Sequence, residues 1–340
     1  MDKIMVAAGD GIGPEVVEAT LYAMDALDLD LELYIEPVGM AGVEERGATM
    51  TDETLEMARD MDAILFGAVE TPPPDVEYRS PLLTLRKELD LYANVRPARP
   101  LIPVHSRLAP EVPDGPVPRL DVVIVRENTE GLYVGREHEI EGGVMAERVI
   151  TRKASERIHR FAFEWARTHG RRKVTCVHKA NLLRRSDGLF LETFKEVARD
   201  VAGDIESSDM HVDAMAAAMV THPGSQDVLV TPNLYGDILS DLAAGLCGGL
   251  GIAPSGSYGE GCALFEPVHG SAPDIAGQGI ADPVACMLSG VMMLDHLGHQ
   301  EKARRLEEAV LDALASGVST PDLGGEHSTL GFAEEVRERL

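Results

Sequence analysis

Two aspartates in the second half of the chain have the spacing of a metal site. Asp237 and Asp241 stand four residues apart in a segment with apolar residues at helical spacing. Helical residues four apart share one face, with Cβ atoms roughly 5–6 Å apart, so both carboxylates would project to one point. Mg²⁺ or Mn²⁺ takes oxygen ligands from such carboxylates. The alternative is a solvated acidic face, which is common in a chain with 57 aspartates and glutamates.

Three arginines and two candidate proton carriers lie near the ends of predicted elements. Arg86 belongs to a helical pattern, Arg96 directly precedes a proline, and Arg126 follows an apolar strand. A guanidinium binds a carboxylate through two parallel hydrogen bonds, so each arginine is a candidate for an acidic substrate; the alternative is a surface ion pair. Lys179, which follows a predicted strand, and Tyr133 are candidates for general acid–base catalysis.

Strands and helices alternate in the first part of the chain. Apolar runs at 3–8 and 62–67 predict buried strands, and the segments 14–27 and 52–59 predict helices between them. This alternation is typical of a layered α/β domain.

Later strands end close to the candidate residues. A strand at 121–125 precedes Arg126, and one at 173–178 precedes Lys179. We interpret residues 233–236 as a loop, followed by a helix that begins near Asp237.

Two further segments bear on the domain organisation. The proline-rich stretch at 97–118 indicates passage between domains. A pair of glycines at 142–143 separates two polar strands and predicts a hairpin arm at 135–150.

The glycine-rich segment 9–15 is ambiguous. Its third glycine comes one position too early for a dinucleotide fingerprint, and Pro14 follows directly. The alternative is a tight strand-to-helix turn with Pro14 at the first helical position.

Composition excludes several classes of protein. The 340 residues predict about two domains. A net charge of −26 argues against a nucleic-acid partner, because phosphate binding needs a basic surface. No apolar stretch is long enough to span a membrane, and the N-terminus lacks a signal-peptide core, so we expect a cytoplasmic protein. The four cysteines are scattered and are expected to be reduced.

The acidic surface predicts a habitat as well as an electrostatic property. Such a surface repels itself at low ionic strength and is screened by salt, which favours a salt-rich cytosol. The alternative is an ordinary acidic enzyme.

The motifs, in their order along the chain, resemble the β-decarboxylating dehydrogenases of the isocitrate/isopropylmalate dehydrogenase family. The resemblance covers residues 9–15, 85–86, 93–97, 126–131, 179–181, 233–241 and 266–274. It implies an α/β fold of that family that is not a Rossmann fold. The implied large, discontinuous, NAD-binding domain comprises residues 1–91 and 248–340, and the implied small inserted domain comprises 92–247 with a dimerisation arm near 135–150.

The resemblance also implies roles for the candidate residues. Asp237 and Asp241 match metal ligands, joined by Asp213 of a second subunit. The substrate-carboxylate arginines match Arg86, Arg96 and Arg126. Lys179 of the second subunit matches the base for the substrate hydroxyl, and Tyr133 matches the acid that protonates the enol after decarboxylation. The implied assembly is a homodimer, with a tetramer as a further possibility.

NAD is the cofactor that the resemblance implies. Asp274 and Ile275 stand where NADP-using relatives have a Lys-Tyr pair, and a carboxylate there would repel a 2′-phosphate. The other matched cofactor contacts are Asn181, Glu266, His269, Gly270, Ser271 and Ala272. Asp282 departs from the pattern, since relatives usually have Asn before this proline.

Substrate choice depends on the segment 79–84. Leu82 and Leu83 suit an isopropyl group, so 3-isopropylmalate is the favoured 2-hydroxy acid. Arg79 complicates this prediction, because an arginine there could reach a third carboxylate. Homoisocitrate, isocitrate and D-malate or tartrate are the alternatives within the family. A non-catalytic regulatory subunit is the alternative of another class, but such a subunit is expected to lose Lys179, Tyr133 or an aspartate.

Overall fold

The structure is a computed structural model that describes residues 1–70, 78–108 and 119–340. The strands are β1 (Asp2–Gly9), β2 (Leu31–Ile35), β3 (Ala63–Ala68), β4 (Ala93–Ala98), β5 (Val122–Glu127), β6 (Glu137–Ile140), β7 (Gly143–Ala146), β8 (Lys173–His178), β9 (Glu206–His211), β10 (Val228–Thr231), β11 (Pro254–Tyr258) and β12 (Ala263–Pro267). The helices are α1 (Gly13–Met24), α2 (Met40–Arg46), α3 (Asp52–Arg59), α4 (Pro81–Glu88), α5 (Arg152–Thr168), α6 (Ser186–Val201), α7 (Val212–Thr221), α8 (Asn233–Cys247), α9 (Val284–His296), α10 (Gln300–Ala315) and α11 (Thr329–Arg337).

The chain divides into two compact units. Unit 1 comprises Met1–Leu91 and Gly248–Leu340, and unit 2 comprises Tyr92–Cys247. The predicted interdomain stretch at 97–118 falls partly on residues 109–118, which lie outside the described residues.

Unit 1 has a mixed sheet in the order β2-β1-β3-β12-β11. β1 runs parallel to β2 and β3, β3 runs parallel to β12, and β11 is antiparallel to β12. Every residue of β3 is buried, which explains why its sequence is a continuous run without polar alternation. Helices α1 and α9 pack against this sheet.

The glycines of the 9–15 segment are explained by close packing of backbone. Gly9 has φ +75°, and a Cβ there would lie 1.9 Å from the carbonyl oxygen of Ala68. A Cβ on Gly11 would lie 2.0 Å from the carbonyl oxygen of Ser271. α1 begins directly after this turn with Pro14 in its first turn. The interpretation as a strand-to-helix turn is therefore confirmed.

Within unit 2 the strands lie in the order β4-β5-β10-β8-β9. β4 is antiparallel to β5, and the other neighbours are parallel. The carboxyl ends of the parallel strands therefore meet at one edge, where Arg126 aligns with Thr231 and His178 with His211. The residues that follow β8 and β9 are neighbours for the same reason. This edge is the usual place for a ligand in a parallel sheet.

One predicted boundary is wrong. Residues 233–236 do not form a loop, because α8 already begins at Asn233. Gly236 lies inside the helix, where a Cβ would meet Thr231 Oγ1 at 2.4 Å and Arg126 Cβ at 2.7 Å. The glycine therefore serves close packing of α8 on the strand ends and does not break the helix.

The segment 135–150 forms a hairpin. β6 and β7 pair antiparallel with each other, and Gly142 in the turn has φ +77°. Ile140, Val144 and Met145 are exposed on these strands. An isolated two-stranded hairpin is marginally stable in water, so this arm is suited to packing against another surface.

No helix among the described residues is long and apolar enough to cross a membrane.

Candidate active site

Asp237 is the centre of the polar cluster of unit 2. Its Oδ1 accepts hydrogen bonds from Nη1 of Arg126 at 2.5 Å and from Nη1 of Arg96 at 3.4 Å, and its Oδ2 accepts one from the hydroxyl of Tyr133. Nη1 of Arg96 also donates to Oδ1 of Asp241 at 3.4 Å. The two carboxylates of α8 therefore lie on one face, as their spacing predicts.

The two arginines of this cluster are oriented by neutral groups. Nε and Nη2 of Arg126 both donate to Oδ1 of Asn233, at 3.1 and 2.7 Å. Nε of Arg96 donates to Oδ1 of Asn94 at 2.8 Å, and its Nη1 donates to Oγ of Ser240 at 2.9 Å. Arg126 is only 2% exposed. The amide and hydroxyl oxygens fix both guanidiniums without neutralising them, and the carboxylate of Asp237 is the charge that pairs with both arginines.

Tyr133 lies in the loop after β5, beside the guanidinium of Arg126. Its ring lies 5.0 Å from the guanidinium carbon of Arg126, and 47% of the residue is exposed. Burial of the hydroxyl and its hydrogen bond to Asp237 raise the pKa of Tyr133, while Arg126 acts in the opposite direction. The tyrosine is therefore protonated near pH 7 and has a proton to donate.

Lys179 and Asp213 form a second pair at the same edge of the sheet. Lys179 follows β8, and Asp213 lies in the first turn of α7, directly after β9. The ammonium of Lys179 forms an ion pair with Oδ1 of Asp213, and this contact lowers the pKa of that carboxyl.

The donor set of α8 fits a hard divalent cation. Asp237 and Asp241 offer carboxylate oxygens on consecutive turns of one helix. Burial raises the pKa of Asp241, and the neighbouring charge of Asp237 adds to this effect. A cation between the two carboxylates would relieve their repulsion.

Within one chain, the three predicted metal ligands do not come together in the described residues. Across residues 1–70, 78–108 and 119–340, no group of three or more His, Cys, Asp or Glu side chains is arranged to hold a metal ion. Asp213, the third predicted ligand, is paired with Lys179 instead.

Unit 1 holds the remaining predicted arginine in a different way. Nη2 of Arg86, in α4, donates to Oε1 of Glu266 at 2.6 Å, and both side chains are nearly buried. Among the described residues, Nε of Arg86 is buried without a hydrogen-bond partner. The carboxylate of Glu266 compensates the charge of Arg86 within unit 1.

The predicted cofactor loop follows β12. The carbonyl of Ser271 accepts a hydrogen bond from the N–H of Ile12 at 2.8 Å, and Ala272 has a positive φ of 38°. Gly270 accepts a hydrogen bond from His269 Nδ1 at 2.9 Å. Asp274 is exposed and Ile275 is half-buried. The loop is thus anchored by backbone contacts while Asp274 faces solvent.

His269 and Asp282 present unused polar atoms in unit 1. Within the described part of the chain, His269 Nε2 and Asp282 Oδ2 are buried and have no hydrogen-bond partner. Burial lowers the pKa of His269, which is therefore neutral near pH 7, and raises the pKa of Asp282 well above its usual value. Buried polar atoms of this kind fit a nucleobase. Asn181 belongs to unit 2, where it is exposed after Lys179.

The side chains of the segment 79–84 differ in exposure and in contacts. Leu82 is half-buried and packs against the core of unit 1, whereas Leu83 is 54% exposed in the first turn of α4. Arg79 is 67% exposed and forms an ion pair with Glu88 at 3.8 Å. Leu83 is therefore the more accessible leucine of this pair.

Sequence reasoning missed the residues that orient the arginines. Asn94 and Asn233 are buried, and each accepts from the Nε of one arginine. Asn94 lies two residues before Arg96, which was the available signal for its role, whereas Asn233 has no arginine near it in the sequence and nothing local linked it to Arg126. Asp187 was also missed, and its contacts are described below.

Comparison with known proteins agrees with the resemblance. Residues 3–337 match the family model described as isocitrate/isopropylmalate dehydrogenase. A 3-isopropylmalate dehydrogenase of Archaeoglobus fulgidus is 48% identical over 340 residues, covering 100% of both chains. A homoisocitrate dehydrogenase of Methanocaldococcus jannaschii is 47% identical, covering 99% of this chain and 97% of that protein.

A solved structure resembles the whole chain. The crystal structure of isocitrate dehydrogenase from Methylococcus capsulatus has a TM-score of 0.89 and 45% sequence identity, and the match covers 100% of this chain and 99% of that one. The predicted fold class is confirmed. The chain belongs to the isocitrate/isopropylmalate dehydrogenase family and is a β-decarboxylating dehydrogenase.

Proposed function

We propose that the protein is an NAD-dependent 3-isopropylmalate dehydrogenase of leucine biosynthesis, which oxidises its substrate and removes the β-carboxylate to give 2-oxoisocaproate. The observation that carries the substrate choice is the exposure of Leu83 together with the ion pair between Arg79 and Glu88. An accessible apolar side chain suits an isopropyl group. Arg79 forms an exposed ion pair with Glu88 and is not required for this substrate, which has two carboxylates.

Charged groups of unit 2 recognise the substrate carboxylates. Arg96 and Arg126 are held by Asn94 and Asn233 in fixed orientations, so little conformational entropy is lost when they bind an anion. In unit 1, Arg86 contributes to substrate binding from α4.

Two residues of unit 2 move protons. Lys179 accepts the proton of the substrate hydroxyl, for which the ammonium paired with Asp213 must first lose a proton of its own. Tyr133 gives its proton to the enol carbon after carbon dioxide has left, and its raised pKa keeps the hydroxyl protonated until then. Asp237, which accepts from the hydroxyl of Tyr133, holds this group in place.

The proposed cofactors are a divalent cation and NAD⁺. Mg²⁺ or Mn²⁺, held by Asp237 and Asp241, supplies Lewis acidity toward the hydroxyl and its neighbouring carboxylate. NAD⁺ supplies the hydride acceptor. The proposed nucleotide contacts of unit 1 are Glu266, His269, Gly270, Ser271, Ala272, Asp274, Ile275 and Asp282, and Asn181 is the proposed contact of unit 2.

The proposed assembly is a homodimer. Asp213 and Lys179 act together, and their pairing within one chain supports this assignment. A second copy brings these two residues to Asp237 and Asp241, and the arm of residues 135–150, which exposes Ile140, Val144 and Met145, joins the copies. The acidic composition supports a halophilic, cytoplasmic enzyme.

A panel of substrates tests this function. Turnover of 3-isopropylmalate, homoisocitrate, isocitrate and D-malate is followed by absorbance of the reduced cofactor, with NAD⁺ or NADP⁺, Mn²⁺ and molar KCl. The highest kcat/KM is expected for 3-isopropylmalate with NAD⁺, and EDTA is expected to remove the activity. Preference for isocitrate with NADP⁺ would contradict both the substrate and the cofactor assignments.

Homoisocitrate is the second candidate substrate. The homoisocitrate dehydrogenase of Methanocaldococcus jannaschii is about as similar to this chain as the 3-isopropylmalate enzyme is, and the Arg79–Glu88 ion pair is exposed. An exposed ion pair contributes little, so a third carboxylate of the substrate can compete for Arg79. The same panel separates the two candidates.

A further inference from the structure

The carboxylate of Asp187 lies beneath Lys179 and holds its main chain. Asp187 is fully buried in the first turn of α6, and its Oδ2 accepts the N–H of Lys179 at 2.7 Å. The carbonyl of Lys179 accepts the N–H groups of Leu182 and Leu183 at 3.0 and 2.9 Å. Both main-chain polar groups of the lysine are therefore fixed.

The charge of Asp187 is compensated from the arm. Nη1 of Arg148, two residues after β7, donates to Oδ1 of Asp187, and it also donates to Oγ of Ser186 at 3.1 Å. The guanidinium carbon of Arg148 lies 5.1 Å from the ring centroid of Tyr235, two residues before Asp237. A buried carboxylate needs such a partner, because an unpaired buried charge is strongly destabilising.

The residue after Arg148, which is Val149, is hydrogen-bonded to the loop that carries Tyr133. The N–H of Val149 donates to the carbonyl of Gly131 at 3.2 Å, and the N–H of Gly131 donates back at 2.9 Å. Gly131 lies two residues before Tyr133. Consecutive residues of one segment thus contact the loop of Tyr133 and, through Asp187, the loop of Lys179.

We propose that Asp187 is a positioning residue for Lys179, with Arg148 as the counter-ion that allows its carboxylate to be buried. The inference rests on the proposed role of Lys179 as the base. Asp187 touches no reacting atom. Its contribution is to fix the point from which the lysine side chain extends, and small displacements of a catalytic group lower its rate substantially.

The same strand provides a matched control. At the start of β8, the carboxylate of Asp227 accepts the N–H groups of Arg172 and Lys173 at 2.7 and 2.9 Å and forms an ion pair with Arg171 at 3.1 Å. This cluster has the same composition as the one at the other end, but it does not contact Lys179.

Paired substitutions separate positioning from stability, because removing both charges avoids an unpaired one. Asp187→Ala with Arg148→Met removes the acceptor for the Lys179 N–H. Asp187→Asn with Arg148→Met keeps an acceptor without the charge. Asp227→Ala with Arg171→Met is the control. Each of the three variant enzymes is assayed for kcat per nucleotide-binding site with the substrate that the unaltered enzyme prefers. Hydrogen–deuterium exchange of the Lys179 amide is measured in the same enzymes.

The alanine pair is expected to lower kcat per site by about 10- to 100-fold with little change in KM, and to speed exchange of the Lys179 amide. The asparagine pair is expected to restore most of kcat, and the control pair to leave it unchanged. An unchanged exchange rate of this amide in the alanine pair would overturn the proposal, as would equal losses in the alanine and control pairs. Because exchange needs no turnover, failure of this proposal is distinguishable from failure of the proposed function.

Discussion

The two units hold their charged residues in different ways. In unit 1, Arg86 is compensated by Glu266, and Asp10 accepts N–H groups of Met40 and Glu70. In unit 2, Asp237 accepts from three side chains that belong to other elements. A single carboxylate of unit 2 thus joins both arginines and a candidate proton carrier, whereas the charged groups of unit 1 have separate partners. We therefore expect substitutions at the proton carriers of unit 2 to affect turnover and those at the nucleotide loop of unit 1 to affect cofactor recognition.

The largest effect is expected from Lys179→Ala in unit 2. Loss of the base is expected to lower kcat by about 10²- to 10⁴-fold, which is the usual contribution of general acid–base catalysis. Nucleotide affinity, measured by fluorescence titration, is expected to stay the same. Lys173→Ala, at the other end of β8 and paired with Glu206 at 3.3 Å, is the control and should keep its activity. A Lys179→Ala enzyme within tenfold of the unaltered kcat would end the assignment of the base.

The matching test in unit 1 changes recognition. Asp274→Lys with Ile275→Tyr removes a carboxylate that repels a 2′-phosphate and adds a cation that binds it. The ratio of kcat/KM for NADP⁺ to that for NAD⁺ is expected to rise by about 10- to 100-fold, since hydrogen bonds to charged groups contribute about 1.5–3 kcal/mol. Asp312→Lys, an equal change of charge on the exposed side of α10, controls for net charge. If this ratio changed by the same factor in the double variant and in the Asp312→Lys control, Asp274 would not be the residue that distinguishes the two cofactors.

A third substitution, of His159 in unit 2, is expected to change the stability of the protein and not its catalytic activity. His159 is fully buried in α5, 4.3 and 5.3 Å from the ring centroids of Phe190 and Phe194, and burial lowers its pKa to about 3. The unfolded chain, with an ordinary histidine pKa near 6.5, binds this proton first, so stability falls as pH drops below 6.5.

His159→Phe is expected to remove that loss. Between pH 7 and 5, the histidine accounts for about 2 kcal/mol of lost stability, and the phenylalanine variant should lose that much less. Urea midpoints at both pH values measure the difference, while kcat at pH 7 should not change. Equal shifts of the midpoint in both proteins would mean that His159 is protonated in the folded state.

The smallest effect is expected from Arg79→Ala in unit 1. Its ion pair with Glu88 is exposed, and such pairs contribute about 0–1 kcal/mol. The value of kcat/KM for 3-isopropylmalate is expected to change by less than about threefold. Arg86→Ala, in the adjacent helix, is the comparison and should lower kcat/KM strongly. A large loss on Arg79→Ala, confined to a tricarboxylic substrate, would favour homoisocitrate as the natural substrate.

Local patterns predicted much of this molecule. α3 and β8 were predicted with the bounds that they have, and the shared face of Asp237 and Asp241 followed from helical spacing. Each of these features depends on residues close in sequence, where periodicity and backbone geometry carry the information.

Contacts between distant segments escaped prediction. Asn233 orients Arg126, which lies more than a hundred residues earlier, and Asp187 holds a main-chain group that no side-chain motif reveals. The start of α8 was misplaced because Gly236 is a helix breaker by propensity, and only the packing of Thr231 against it explains the glycine. Each of these three features depends on packing between segments that are distant in sequence.

Complementation between two inactive variants tests the central claim, that carboxylates from two chains share one cation. Asp241→Asn and Asp213→Asn chains carry different affinity tags, and the mixed dimer is purified through both. Each variant alone is expected to be inactive, whereas the mixed dimer contains one intact site of two and should show about half the unaltered turnover with Mn²⁺. A mixed dimer as inactive as its parents would contradict the account, because the ligands would then belong to a single chain.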